Sequence, residues 1–234
     1  YVRVHASPKR FASHAIQWPT TLVHETEDFI LINKPAHIPT HASVDNYREN
    51  VVHCWSQLRP APPLLPVHRL DVATEGLLFL GKSAAFQRHF LRCLAEGTIH
   101  KSYRAFTCGS LPVGRLTHYM RSDRLPRKTI ATISHWQWKA CHLEVESSEP
   151  VAGSTALYLT HFRLLTGRTH QIRAQCAYMG SPIYGDPIYG WQQLETSLGV
   201  FCLQAYRMEL PAPGDPTQRL AFELPLPTHW KNYG

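Results

Sequence analysis

Asp71 stands in the run His68-Arg-Leu-Asp-Val-Ala-Thr-Glu-Gly76, a string of polar side chains delivered immediately before the apolar segment Leu77 to Leu80. An ionised carboxylate in a water-poor cleft can act as nucleophile or as a stabilising anion. A nearby arginine such as Arg69 can keep it charged, orient it and offset its burial. The same pair at a surface only fastens a loop, worth about 0–1 kcal/mol. Two further stretches carry reactive groups. Thr98 to Thr107 alternates, placing Ile99, Lys101, Tyr103 and Ala105 on one face and His100, Ser102, Arg104 and Phe106 on the other. Tyr103 offers a ring face and a hydroxyl able to relay a proton when a base or substrate group is in reach. After the turn Thr166-Gly167-Arg168, helical spacing puts His170, Arg173 and Ala177 on one stripe and Ile172, Cys176 and Met179 on another.

Composition narrows the partners. The 234 residues include 24 Lys and Arg against 17 Asp and Glu, a net charge of +7, and 17 of those 24 cations are Arg. The planar guanidinium suits phosphate, so a nucleic acid ranks ahead of a membrane surface as the anionic partner. No run of 18 apolar residues exists, which argues against a spanning helix. The six cysteines are far apart and form no CxxC, and no HExxH occurs; neither a metal site nor a disulfide scaffold is expected. Glycine-rich phosphate cradles are also lacking, so no nucleotide cofactor is expected.

The elements that must position these residues are legible in outline. Phe29 to Ile32 reads as a short buried strand ended by Asn33-Lys34-Pro35. A helix within 44–59 presents Val51, Trp55 and Leu58, and Pro60, Pro62, Pro63 and Pro66 stiffen the connection that follows. Ser83 caps a helix running to Glu96 with Phe86, Phe90 and Cys93 or Leu94 buried, stopped by Gly97. Residues 109–150 break the rhythm with Gly, Pro and the cluster Arg115, Arg121, Arg124, Arg127 and Lys128 against Asp123. They read as a basic excursion from the core, a hairpin carrying His135-Trp-Gln-Trp-Lys139, able to contact RNA or simply solvated. Strands follow at 156–164 and 200–208, with an edge strand in the tail. A single mixed α/β (α+β) domain with a central sheet is the most economical arrangement.

Four blocks, in order, carry a family resemblance. His68-Arg69-Leu70-Asp71 with Thr74 and Gly76 resembles the catalytic HRLDxxTSG block of the RluA-type RNA pseudouridine synthases. "FILINKPAHIPTH" at 29–41 resembles their KPxGxxxH block, "KSYRA" at 101–105 their KxYxA strand, and "LLTGRTHQIRAQCAYMGSPIYGDPIYG" at 164–190 their TGRTHQIRxHLxxxGxPIxGDxxYG signature. The likeness spans residues 27 to 210.

The resemblance implies a pseudouridine synthase fold, a central mixed and mainly antiparallel sheet with flanking helices. It implies an isomerase that detaches uracil from C1′, rotates it and reattaches it through C5, with no metal or cofactor. Carried over, Asp71 is the catalytic aspartate, Tyr103 the tyrosine beside the target base, and Arg173 the basic residue that pairs with the catalytic carboxylate. Arg69 resembles the arginine that fills the space left by a flipped nucleotide. Lys34, Lys101, Arg168 and His170 are expected to contact RNA or uridine, although His170 serves as well in a structural role. The implied layout is an N-terminal arm at 1–26, too short for the S4 module of many relatives, then a catalytic domain over 27–234. The partner is a tRNA or rRNA stem-loop, met by a monomer in the cytoplasm, or in an organelle if the source is eukaryotic.

Departures from the pattern fall at four places. His37 takes the usual glycine position, Glu75 a usual Ser, Gln175 the His of IRxH, and Gln204 the His of the LHA block. Two competing readings use the same basic charge: a catalytically silent RNA-binding or RNA-folding protein, and a nucleobase hydrolase that would release uracil.

Overall fold

Two apolar strands form the centre of the region that carries Asp71. The computed structural model describes residues 9–44, 46–59, 63–123, 125–190 and 200–233. The chain divides into two compact units, one from the residues up to Thr98 with Pro211–Leu220, the other from Ile99–Leu210 with the residues after Leu220.

In the first unit β1 (Leu22–Glu25) pairs with β2 (Phe29–Lys34), and β2 with β4 (Glu75–Gly81); the two-residue β3 (Leu65–Pro66) also pairs with β4. The β2–β4 register runs from Phe29 opposite Gly81 to Lys34 opposite Gly76. Every residue of β4 is buried, which is why Leu77 to Leu80 is an unbroken apolar run rather than an alternation. Helix α1 (Val51–Gln57) is capped by Asn50, whose side chain accepts from the His53 amide; Val51 and Trp55 are buried. Leu58, expected on the same stripe, is half-exposed because the helix ends before it. Helix α2 (Ala84–Ala95) starts at Ser83, whose hydroxyl accepts from the Phe86 amide. It buries Phe86, Phe90 and Cys93, leaves Leu94 exposed, and is followed by Gly97 in the left-handed region.

The second unit contains β5 (His100–Cys108), β6 (Gly114–Met120), β7 (Ile130–Ala131), β8 (Lys139–Pro150), β9 (Leu157–Leu164) and helix α3 (Gln171–Tyr178). Strands β10 (Leu203–Ala212) and β11 (Asp215–Glu223) follow, where the chain passes between units. Its sheet runs β10-β5-β9-β8-β6-β7. Every pairing with a described register, in either unit, is antiparallel, so the mainly antiparallel α+β class expected from sequence is the class observed.

The excursion expected over 109–150 narrows to residues 121–138, because β6 and β8 are full members of this sheet. The clue is the period-two burial of Cys141, Leu143 and Val145, which the neighbouring charges obscure in the sequence. Within the connection, Trp136 is 87% exposed. Arg124, Pro60 and Pro62 lie outside the described residues, as does the start of the N-terminal arm. Helix α3 also differs from expectation. It buries Gln171 through Cys176 without interruption, Arg173 included, while Met179 is the more exposed residue.

Candidate active site

The loop that presents Asp71 is held by its neighbours. Lys34, at the end of β2, is completely buried, and its ammonium donates to the carbonyls of Pro35 (2.7 Å), Ile38 (2.9 Å) and Val72 (3.2 Å). Three acceptors match the three N–H groups of the charged form. Burial pushes that ammonium down to about 7, and the Asp71 and Glu75 carboxylates act to hold it up. Lys34 therefore ties the turn after β2 to the residue following Asp71. Expected to contact RNA, it is instead sealed in the core as a strut.

One residue before Asp71, the Leu70 backbone is gripped by the Thr40 hydroxyl, which donates to Leu70 O and accepts from Leu70 N, both at 3.2 Å. The Thr74 amide donates to Asp71 O at 3.1 Å and closes a turn. His68 is structural: its Nε2 accepts from the Phe79 amide at 3.0 Å, and its ring lies parallel to that of Phe90, 5.3 Å away. It satisfies a β4 amide just beyond the point where β3 stops. Asp71 itself is half-buried. Arg69, two residues before it, is exposed. His37 keeps the backbone geometry of the glycine it replaces, with φ of +61°. Glu75 is buried, which places a second carboxylate close enough to act on Lys34.

In the second unit Tyr103 is 7% exposed on β5, opposite Phe162 of β9 and Ala205 of β10. Lys101, two residues earlier in the strand, is pushed down to about 8 by burial. The turn into α3 is stapled by Gln171, whose Oε1 accepts from the Arg168 amide (3.0 Å) and the Thr166 hydroxyl (2.9 Å) and whose Nε2 donates to His142 O (3.1 Å). His170, left-handed at φ +59°, sits edge-on to Tyr189, with Nδ1 3.3 Å from the phenol oxygen. Arg168 is exposed; its Nε reaches Ala140 O at 3.4 Å.

Arg173 is the most constrained of the candidates. Its Nε and Nη2 donate to the two carboxylate oxygens of Asp186, each at 2.8 Å, with the side chains 4% and 0% exposed. Asp186 also accepts from the Ile188 and Tyr189 amides, and the guanidinium lies over the rings of Tyr189 and Phe201. Asp186 and Tyr189 were given no role from sequence, although both lie in the quoted Gly185-Asp-Pro-Ile-Tyr-Gly190 segment. Their signal was a carboxylate in a turn, thirteen residues after an arginine already singled out on the helix.

Two departures from the family pattern are absorbed structurally. Gln175 donates to His118 Nδ1 at 2.9 Å, and Gln204 accepts from Arg104 Nε at 2.8 Å, all four side chains being buried.

The family model described as RNA pseudouridylate synthase matches residues 28–178. RNA pseudouridine synthase 6, chloroplastic, of Oryza sativa subsp. japonica is 33% identical over 81% of this chain and 44% of its own length. Ribosomal large subunit pseudouridine synthase D of Escherichia coli is 33% identical over 74% of this chain and 53% of its own. The chain thus spans about half the length of these curated relatives. Among solved structures, human RNA Pseudouridylate Synthase Domain Containing 4 superposes with a TM-score of 0.72 at 20% identity, covering 92% of this chain and 91% of that one. Human RNA Pseudouridylate Synthase Domain Containing 1 gives 0.65 at 24%, covering 88% and 82%, and both likenesses bear on the fold. With the family model covering well over half of its length, this chain belongs to the RNA pseudouridylate synthase family, of the RluA type that its four blocks resemble.

Proposed function

We propose that the protein isomerises uridine to pseudouridine in structured RNA, with Asp71 as the catalytic carboxylate. The observation that best supports this reading is the frame around Asp71. Backbone on both sides of it is fixed by Thr40 and by the buried Lys34, while the aspartate stays half-buried next to the exposed Arg69. A carboxylate whose loop needs no rearrangement before reaction is preorganised for attack. In the reaction the N1–C1′ bond breaks, the base turns, C5 bonds to C1′, the C5 proton leaves and N1 takes up a proton. Asp71 acts beside C1′ or C6, Tyr103 lends its ring face and assists proton removal, and Arg173 serves the carboxylate. Asp186 holds the plane of the Arg173 guanidinium for that role. Arg69, Lys101, Arg168 and His170 contact the RNA.

The target uridine must leave its stack before C6 is accessible, at a cost of a few kcal/mol that is smaller in a loop, so the substrate is a loop uridine of a tRNA or rRNA stem-loop. The protein works as a monomer, in the cytoplasm or in an organelle; the chloroplastic names of the plant relatives favour giving the second a hearing. Tritium release from separate tRNA and rRNA pools transcribed with [5-³H]uridine tests this. Release from one pool by wild type and not by Asp71→Ala is expected and assigns the substrate class. Equal release by Asp71→Ala removes the carboxylate from the mechanism. Binding of both pools without release from either, in a broad RNA set, leaves a silent RNA-binding protein, and free uracil marks a hydrolase.

A further inference from the structure

The connection between β6 and β8, together with the turn into α3, borders an open cavity of about 210 Å³, of whose lining residues only Arg168 has a role above. Its lining carries four cations, Arg121, Lys128, Lys139 and Arg168, against a single carboxylate, Asp123. The cations are not equivalent. Lys128 is used internally: its ammonium donates to the carbonyls of Asp123 (2.7 Å) and Leu125 (2.8 Å) and lies 3.5 Å from Asp123 Oδ1. That arrangement neutralises Asp123 and makes a rigid floor. Arg121 approaches Asp123 only loosely, at 3.7 Å, and Arg121, Lys139 and Arg168 are all exposed.

The strand register fixes the spacing of this rim, since Lys139 pairs opposite Met120, the residue before Arg121. Arg168 is brought to the same rim by the Gln171 staple and by its contact with Ala140 O, one residue beyond Lys139. Thr169 lines the cavity just ahead of α3, whose N-cap His170 supplies no side-chain acceptor to the first turn, so the positive end of the helix adds to the field. A space of this size holds several waters and is too large for one bare ion. Two guanidinium groups and an ammonium around it suit the tetrahedral oxygens of a phosphodiester, and the Met120 side gives an apolar wall for a sugar.

Resting on the reading that the substrate is RNA, we propose that this cavity seats one backbone phosphate of that RNA and thereby sets how the substrate is gripped, independently of bond making. The connection at 121–138 is then a substrate-holding element.

The test is fluorescence anisotropy of a fluorescein-labelled stem-loop transcript between about 50 and 200 mM salt, with tritium release measured in parallel. The variants are wild type, Arg121→Ala/Lys139→Ala, and Arg88→Ala as an exposed cation of α2 outside the cavity. The double variant is expected to bind about tenfold more weakly, with a slope of log K against log salt shallower by about 0.7–0.9, the loss of one phosphate contact. Its kcat stays at the wild-type value while KM rises, and Arg88→Ala matches wild type. An unchanged slope in the double variant, an equal loss in Arg88→Ala, or salt-independent binding by wild type overturns the phosphate site. If the slope changes as expected but wild type releases no tritium from any pool, the phosphate site stands and the isomerase reading fails.

Discussion

The Asp71 loop and the Arg173 turn solve the same problem, fixing a charged side chain, by opposite means. In the first unit the fastening groups are neighbours: Thr40 grips Leu70, Lys34 grips Val72, and Thr74 turns back on the Asp71 carbonyl. In the second unit the candidate's own side chain carries the structural bond, since Arg173 is forked onto Asp186 in the core. The lesson is that the backbone around Asp71 is fixed by bonds from its neighbours, whereas at Arg173 the candidate side chain itself carries a core ion pair. A buried ion pair that loses one partner leaves the other charge uncompensated, whereas a residue held through its neighbours can change without disturbing the loop.

Substitutions should expose that contrast. Asp186→Ala strands the Arg173 guanidinium and is expected to cost about 3–5 kcal/mol, a drop on the order of 10 °C in Tm, read by thermal unfolding. Asp71→Asn should leave Tm nearly unmoved; a large fall there would place the aspartate among the structural groups.

Next comes Gly185→Ala. This glycine has φ of +75°, and an added Cβ would stand 1.6 Å from the Val200 carbonyl oxygen, so the turn carrying Asp186 must shift. A loss of about 1–3 kcal/mol in urea unfolding is expected, against almost none for Gly97→Ala beyond its backbone strain, where nothing lies near the new methyl.

Lys34 links stability to pH. Its folded-state value of about 7 lies below the ordinary 10.5, so its contribution is full above 10.5 and is lost as pH falls toward 7. Lys101, lowered to about 8, acts in the same direction. Lys34→Met should flatten the rise in urea midpoint between pH 7 and 9 and also slow turnover by freeing the loop beside Asp71. A variant with the wild-type pH slope would deny Lys34 its place in the frame.

The smallest effect is expected at His37, where Gly relieves a left-handed side-chain residue at some cost in chain entropy. His37→Gly should gain up to about 1 kcal/mol in the same unfolding measurement with activity unchanged.

Local patterns were readable where one element decides them. Ser83, Phe86, Phe90 and Gly97 mark α2 because capping, helical spacing and a left-handed stop are all short-range. The burial of Lys34 was not readable, since its acceptors at Ile38 and Val72 come from a turn and from a loop far along the chain. Helical spacing separated Arg173 from the stripe of Ile172, Cys176 and Met179, but it could not show that the turn returning Asp186 to α3 buries the arginine in an ion pair. Strands β6 and β8 were masked because the exposed Arg115 of β6 reads as one cluster with Arg121 and Lys128 of the connection that follows. Asp71 was legible because the four ordered blocks point to it, while its half-buried setting and the grip of Thr40 on Leu70 emerge only from the folded loop.

The most direct test of the central claim is single-turnover release of tritium from [5-³H]uridine RNA by Asp71→Asn at saturating enzyme, alongside its Tm and RNA affinity. The account predicts a rate at least about a thousandfold below wild type, with Tm and affinity retained. Wild-type turnover by a folded, RNA-bound Asp71→Asn would contradict it.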